Sequence, residues 1–198
     1  MLEPKVIGRP REFDEDQAMA TIMAVFWEKG FEGTSMSDLE TATGLRKGSL
    51  YAAFGDKRAM YRKALALYDR TAIDESVRVL TGIDAPERRI GKFLQVPIDA
   101  VAVANDLRGC FLCNASTDQA AVDPETLRLI NGSLERLRRV LEKALSELIA
   151  IDHTRRRAEA QHLLTVYFGL RVLAKAGQPV RMLKAAREAA LRSVLPVE

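Results

Sequence analysis

Two short stretches of the chain bring together side chains suited to chemistry. The first is Arg46-Lys47-Gly48-Ser49-Leu50-Tyr51. Arginine and lysine donate to guanine edges and phosphates, serine bonds several bases, and a tyrosine hydroxyl suits a backbone phosphate. The second is Cys110-Phe111-Leu112-Cys113, which holds the only 2 cysteines of the 198 residues. On a helix this spacing puts both sulfurs on one face. If the helix begins near Leu107–Gly109, Cys110 falls in its first turn, where unpaired amides favour the nucleophilic thiolate. Sensing of oxidants or electrophiles is one reading of the pair. Two small, mildly apolar side chains that merely pack well is the other.

Other chemistries find less support. The histidines, His153 and His162, lie nine apart and do not complete a metal-ligand spacing with the cysteines. No glycine-rich nucleotide or phosphate motif occurs. Neither a metal nor a cofactor is expected, and the chain is not expected to be an enzyme. The alternative is a thiol oxidoreductase built on Cys110 and Cys113, which would need a substrate cleft and a proton-handling partner near the thiols.

The elements that must position these groups read as helices throughout. Apolar residues recur at three- and four-residue spacings, and good helix formers dominate. The first helix starts at Asp14 as N-cap and carries Ala18, Ile22, Val25 and Phe26 on one stripe up to Gly30. A short helix from Met36 to Ala42, capped by Ser35, is broken by Thr43-Gly44. Another, from Arg46 to Ala53, ends at Gly55-Asp56, and Asp56 caps a long helix from Lys57 towards Leu80. Further helices are expected over Pro86–Ala104 (bent at Pro97), Gly109–Ala121, from Pro124 behind the cap Asp123, over Arg155–Ala176, and from there to about Val194. Leu127, Ile130, Leu134, Leu137, Leu141 and Leu148 form a seam on the Pro124 helix, with Ala144 filling its gap. The fold class is therefore all-α, about nine helices.

Two short helices around a glycine turn, Met36–Ala42 and Arg46–Ala53, make a helix-turn-helix. Met36, Leu39, Leu45, Leu50 and Phe54 would hold the pair against the first helix, leaving Arg46, Lys47, Ser49 and Tyr51 outward for a major groove. Residues 42–63 also carry Lys57, Arg58, Arg62 and Lys63 against Asp56 alone, a basic footprint that suits nucleic acid or a solvated face. The run Gly30-Phe31-Glu32-Gly33-Thr34-Ser35-Met36, followed by Thr43-Gly44-Leu45-Arg46-Lys47-Gly48-Ser49-Leu50-Tyr51-Ala52-Ala53-Phe54-Gly55-Asp56-Lys57, resembles the N-terminal domain of TetR-family regulators. The resemblance covers roughly residues 12–65 and departs from the family's habit at Ala52 and Ala53, where His or Asn often stands.

This resemblance implies a transcriptional regulator, with residues 1–56 reading DNA and 57–198 binding an effector and dimerising. It places Thr34 or Ser35 on a phosphate, Arg46, Lys47 and Ser49 at or near bases, Tyr51 on a backbone phosphate, and Lys57 beside a helix N-terminus where a phosphate can dock. Gly8-Arg9-Pro10-Arg11 ahead of the first helix has the shape for a minor groove, with Arg9 and Arg11 inserted; incidental arginines in a tail are the plainer reading. The Gly109-Cys110 start of one helix, with Lys175 on a later one, is similar to an oxidant- and electrophile-responsive branch of the family.

The family's default effector is a small apolar ligand. Its candidate walls are Phe93, Val96, Val101, Phe111, Leu112, Tyr167 and Phe168, with Asn114 and Thr117 as polar anchors. The expected partners are double-stranded operator DNA, a second copy of the chain joined through the C-terminal helices, and a small apolar or thiol-reactive effector. No membrane partner is expected. The apolar stretch from Leu163 to Ala176 is interrupted by Arg171 and Lys175 and falls short of the ~20 residues a spanning helix needs. With no signal-like N-terminus, a cytoplasmic location is expected.

Overall fold

Good helix formers and clear cap residues make one helix after another in the computed structural model, which describes residues 13–148 and 152–194. Nine helices run through these residues. They are α1 (Glu15–Lys29), α2 (Met36–Thr43), α3 (Lys47–Phe54), α4 (residues 57–80), α5 (Pro86–Ala102), α6 (Phe111–Asp118), α7 (Pro124–Ser146), α8 (His153–Lys175) and α9 (Val180–Val194). Within α4, the α-helical stretches Lys57–Tyr68 and Asp74–Leu80 are joined by a wider π turn at Asp69–Ile73. No helix among the described residues is long and apolar enough to cross a membrane.

The caps sit where short polar residues precede apolar periodicity. Asp14 accepts from the amides of Asp16 and Gln17, Asp56 from Ala59, and Asp123 from Thr126. Ser35 and Asp38 close a reciprocal capping box at the start of α2. Gly44 ends that helix at φ +70°, a conformation that costs glycine little and lets α3 turn away at once.

The first stretch of α4 packs on α1 and α3, and its flank touches α6 and α7, so one continuous helix serves both halves of the molecule. A single apolar core runs from Ile22 and Phe26 of α1 through Tyr61 and Tyr68 to Phe111, Leu141 and Leu163. Edge-to-face rings line its middle: Phe26 on Tyr61, Tyr61 on Phe111, and Tyr68 on both Phe111 and Trp27. The α7 seam faces this core from Ile130 onward, but Leu127 is 41% exposed. It stands beside the buried stripe of α7, which begins one residue earlier at Thr126 and continues through Ile130, Ser133 and Leu137. The cysteine helix is shorter than its sequence suggests, because Gly109 at φ +77° breaks the chain and Cys110 becomes the N-cap. Glycine is required there twice over: a Cβ would meet the Lys175 side chain at 3.0 Å.

Candidate DNA interface and thiol site

Leu50 and Phe54 of α3 are buried against the N-terminal core, so its opposite face turns outward. Arg46, Lys47, Ser49 and Tyr51 are all exposed there. Arg46 is the N-cap and makes no side-chain capping bond, and the Lys47 ammonium lies 5.8 Å from the Tyr51 ring. The Lys47 amide is held by the Glu40 carboxylate at 2.7 Å, which fixes the entry of α3 against α2.

The neighbouring candidates are placed differently. Thr34 is buried and donates its hydroxyl to the Gly30 carbonyl at 2.7 Å, so it is withdrawn from any phosphate. Ser35 stays at the surface, in its capping box with Asp38. Lys57, at the first position of α4, lays its ammonium over the Phe31 ring at 4.4 Å. Arg9 and Arg11 lie outside the described residues.

The basic segment is thus two populations. Arg58 shares the Phe31 ring and donates to Gln119 at 3.2 Å. Arg62 donates through Nε to buried Asp123 at 2.8 Å. Lys63 reaches the Ala53 carbonyl. These three are engaged within the chain, whereas the Arg46 and Lys47 side chains face solvent.

This solvent-facing helix-turn-helix carries the match that identifies the chain. Residues 18–64 fit the family described as bacterial regulatory proteins, tetR family. The uncharacterized HTH-type transcriptional regulator YezE of Bacillus subtilis (strain 168) is 30% identical over 134 residues, 66% of this chain and 68% of that protein. The chain belongs to the TetR family.

The HTH-type transcriptional repressor ComR of Escherichia coli (strain K12) is 32% identical over 111 residues, 56% of this chain, and that match spans only 53% of ComR. Among solved structures, a triple cysteine mutant of the TetR-family regulator CifR, complexed with a 26 bp operator duplex, superposes with a TM-score of 0.80 at 30% identity. It covers 95% of this chain and 100% of that one. This TetR-family chain is therefore a DNA-binding transcriptional regulator whose helical C-terminal part shares the family architecture.

In that part, α6, α4 and α8 meet around the two cysteines, which pack in and against the apolar core. Cys110 is buried and Cys113 partly exposed, both as free thiols. The Tyr68 hydroxyl of α4 donates to Cys110 Sγ at 3.4 Å. From α8, Arg171 donates to the Tyr167 hydroxyl at 2.8 Å, and Ser76 of α4 shares that hydroxyl at 3.4 Å. Burial alone would push the Cys110 thiol up. Hydrogen bonding by Cys113, the charge of Arg171 and the Tyr68 hydroxyl outweigh it and bring Cys110 down to about 6. Cys113 moves the other way, far above the ordinary thiol range, because its hydrogen bond to Cys110 and its burial favour the protonated form.

Lys175 occupies a different station from the one the resemblance implied. Its ammonium donates to Asn114 Oδ1 at 2.9 Å, and its stem packs on Gly109. The cation that acts on Cys110 is Arg171, one turn earlier on α8. Lys175, Asn114 and Thr117 instead line a cavity of about 280 Å³ between α1 and α6, together with Trp27, Glu28 and Glu32.

The aromatic candidates fill the core. Phe93 stacks on Tyr167 at 4.1 Å, Phe168 meets Tyr167 edge-on, and Phe111 is wedged between Tyr61 and Tyr68. The oxidoreductase alternative needs an attacking thiol open to a thiol substrate, whereas the low-lying thiol, Cys110, is 1% exposed. Among the described residues no cluster of three His, Cys, Asp or Glu side chains is suited to a metal ion.

Tyr68 and Asp118 have no motif to announce them. In the sequence Asp123 is marked only as a helix cap, Arg62 only as part of a basic segment, and Arg171 only as a cation inside a largely apolar helical run.

Proposed function

We propose that this chain is a repressor that holds a palindromic operator as a homodimer and releases it when a small thiol-reactive oxidant or electrophile reacts at Cys110. The observation that carries the DNA half of this reading is the outward face of α3, where Arg46, Lys47, Ser49 and Tyr51 are exposed while Arg58, Arg62 and Lys63 are engaged within the chain. Arg46, Lys47 and Ser49 read bases, Tyr51 and Ser35 meet phosphates, and Lys57 adds charge beside the start of α4. Arg9 and Arg11 enter the minor groove. Residues 1–56 serve DNA, residues 57–198 serve the effector and the dimer, and the protein acts in the cytoplasm without a cofactor.

Dimerisation through α8 and α9 is supported by two unpartnered stripes. On α8, Thr165, Gly169 and Val172, continued by the C-cap Ala176, are exposed at four- and three-residue spacings; on α9, Met182, Ala185 and Ala189 are exposed likewise. Pairing these faces sets two α3 helices about 34 Å apart on successive major grooves.

For the effector, a small apolar ligand among Phe93, Phe111, Tyr167 and Phe168 would have to open close-packed rings, whereas the thiol route asks only that a reagent as small as peroxide reach the Cys110 sulfur past the partly exposed Cys113. With hydrogen peroxide as oxidant, the Cys110 thiolate attacks one oxygen, the O–O bond breaks and hydroxide leaves. The Cys113 sulfur then attacks the sulfenic sulfur. The S–S bond forms, and the hydroxyl departs as water with the Cys113 proton. Two electrons have passed from the cysteine pair to peroxide.

The experiment is selection of random duplexes by the full chain, under reducing conditions and after mild peroxide. A palindromic motif under reduction, lost with peroxide in the wild type and kept in Cys110→Ser, is expected. A motif indifferent to peroxide leaves the repressor and removes the thiol switch. Absence of any motif removes both.

A further inference from the structure

A guanidinium withdrawn from water normally brings its own carboxylate, because an unpaired buried charge is strongly disfavoured. Arg171 does not follow that rule. It is 8% exposed, and its hydrogen bonds go to a single neutral group, the Tyr167 hydroxyl, with the guanidinium 5.2 Å from the same ring. No carboxylate among the described residues stands within ion-pair distance of it. Asp106, whose carboxyl feels the Arg171 charge, is already held by Arg108 in a bridge of 2.7 Å.

The rest of the surroundings are mapped by the helices. One turn further along α8, Lys175 lies on Gly109, so the same face of α8 is directed at the residue that follows Gly109, which is Cys110. On the opposite side Tyr68 of α4 donates to the Cys110 sulfur. The charged and titratable groups around the pair are therefore Tyr68 from α4, Cys113 from α6, Asp106 and Arg108 from the preceding loop, and Tyr167 and Lys175 from α8. Burial raises both phenols, so they act as neutral hydrogen-bonding groups.

We propose that Arg171 is the positioning residue of the thiol switch: its buried guanidinium takes the Cys110 thiolate as counter-ion, and conversion of that sulfur to a sulfenic acid, a thioether or a disulfide leaves the guanidinium without one. The inference rests on the thiol-switch reading above and adds to it the source of the reactivity and of the conformational drive. A thiolate is a net negative charge, whereas a sulfenic acid, a thioether or a disulfide is neutral. Reaction at Cys110 therefore turns a compensated buried pair into an isolated buried cation, which favours movement of α8 away from α6. The far end of α6 grips the DNA-binding half, where Asp118 accepts the Phe31 amide at 2.7 Å. Strain at Cys110 is thereby connected to the turn that follows α1 through one eight-residue helix.

The test is a pH titration of the thiolate ultraviolet absorbance of the reduced full-length protein. It needs neither DNA nor reagent access to the buried sulfur. The wild type is expected to titrate near about 6. Arg171→Gln should shift the midpoint upward by at least about one unit towards the ordinary thiol value near ~8.5. Arg171→Lys, which keeps the charge, should hold the midpoint low. An unmoved midpoint in a folded Arg171→Gln protein, judged by its circular dichroism, overturns the proposal. If that variant does not fold, a midpoint at the ordinary thiol value in Arg171→Lys overturns it instead. Operator binding is scored separately. A midpoint that depends on Arg171, in a protein whose operator is not released by peroxide, leaves the counter-ion assignment standing and rejects only the switch.

Discussion

Two helices of this chain have the same length and opposite situations. Both α3 and α6 span eight residues, too few to be stable alone, and each is held by neighbours. In α3 two apolar residues anchor the helix, and its cations, hydroxyl and phenol face solvent. In α6 Phe111, Leu112 and Ala115 are buried, and the polar groups at both ends are bonded within the chain: Cys110 to Tyr68, Asn114 to Lys175, Asp118 to Phe31. A helix whose polar groups are unspent suits an outside partner. One whose polar groups are spent on different helices suits transmission, because moving one end changes bonds at the other.

The contrast can be broken by substitution, and the largest effect should fall on α6. Phe111→Ala removes a ring buried between two tyrosines and should lower unfolding stability by about 3–5 kcal/mol in denaturant titration. Tyr51→Ala on α3 should leave stability within about 0.5 kcal/mol. Equal losses at both positions would contradict the division drawn here.

Next in size is the joint between α4 and α7. Arg62→Ala strands the Asp123 carboxylate, which is 3% exposed, and should cost about 3 kcal/mol by the same measurement. Removing the exposed Lys47 side chain should give the reverse pattern. Lys47→Ala should weaken operator binding by about 1–3 kcal/mol in a gel-shift or anisotropy titration, while the thermal midpoint stays where it was.

The smallest effect is one of pH. The Arg62 guanidinium, followed by the Thr126 hydroxyl, holds the Asp123 carboxyl well below the usual carboxylate range. A depressed folded-state value contributes stability that is complete above the unfolded value of about 3.9 and is lost as pH falls below it. Melting scans should therefore show the wild type losing more stability below about pH 4 than Asp123→Asn, which has no such carboxyl to protonate. Parallel acid limbs would show that the bridge contributes little.

Much of the architecture is legible in the residues because its causes are local. Asp14, Ser35, Asp56 and Asp123 cap the helices that follow them, and Gly44 sets the turn between α2 and α3. The outward face of α3 follows from where Leu50 and Phe54 must go. Thr34 shows where local reading stops. Its type and position suit a phosphate, but the turn after α1 brings the Gly30 carbonyl within reach and buries the hydroxyl. The six cations of residues 42–63 look alike in sequence, and only the positions of Phe31, Gln119 and Asp123 divide them into cations that hold the fold and cations that face outward.

By itself the sequence determined a string of capped helices, a helix-turn-helix with its cations aimed outward, and a cysteine pair at the start of a helix. Each of these depends on neighbours within about one turn, the range over which backbone bonding and side-chain periodicity act. The tertiary structure alone decided that Arg171, not Lys175, attends Cys110, that Tyr68 bonds its sulfur across 42 residues, and that Asp118 reaches Phe31 across 87. Such meetings depend on the rotation and crossing of packed helices, which the periodicity of any one helix does not encode.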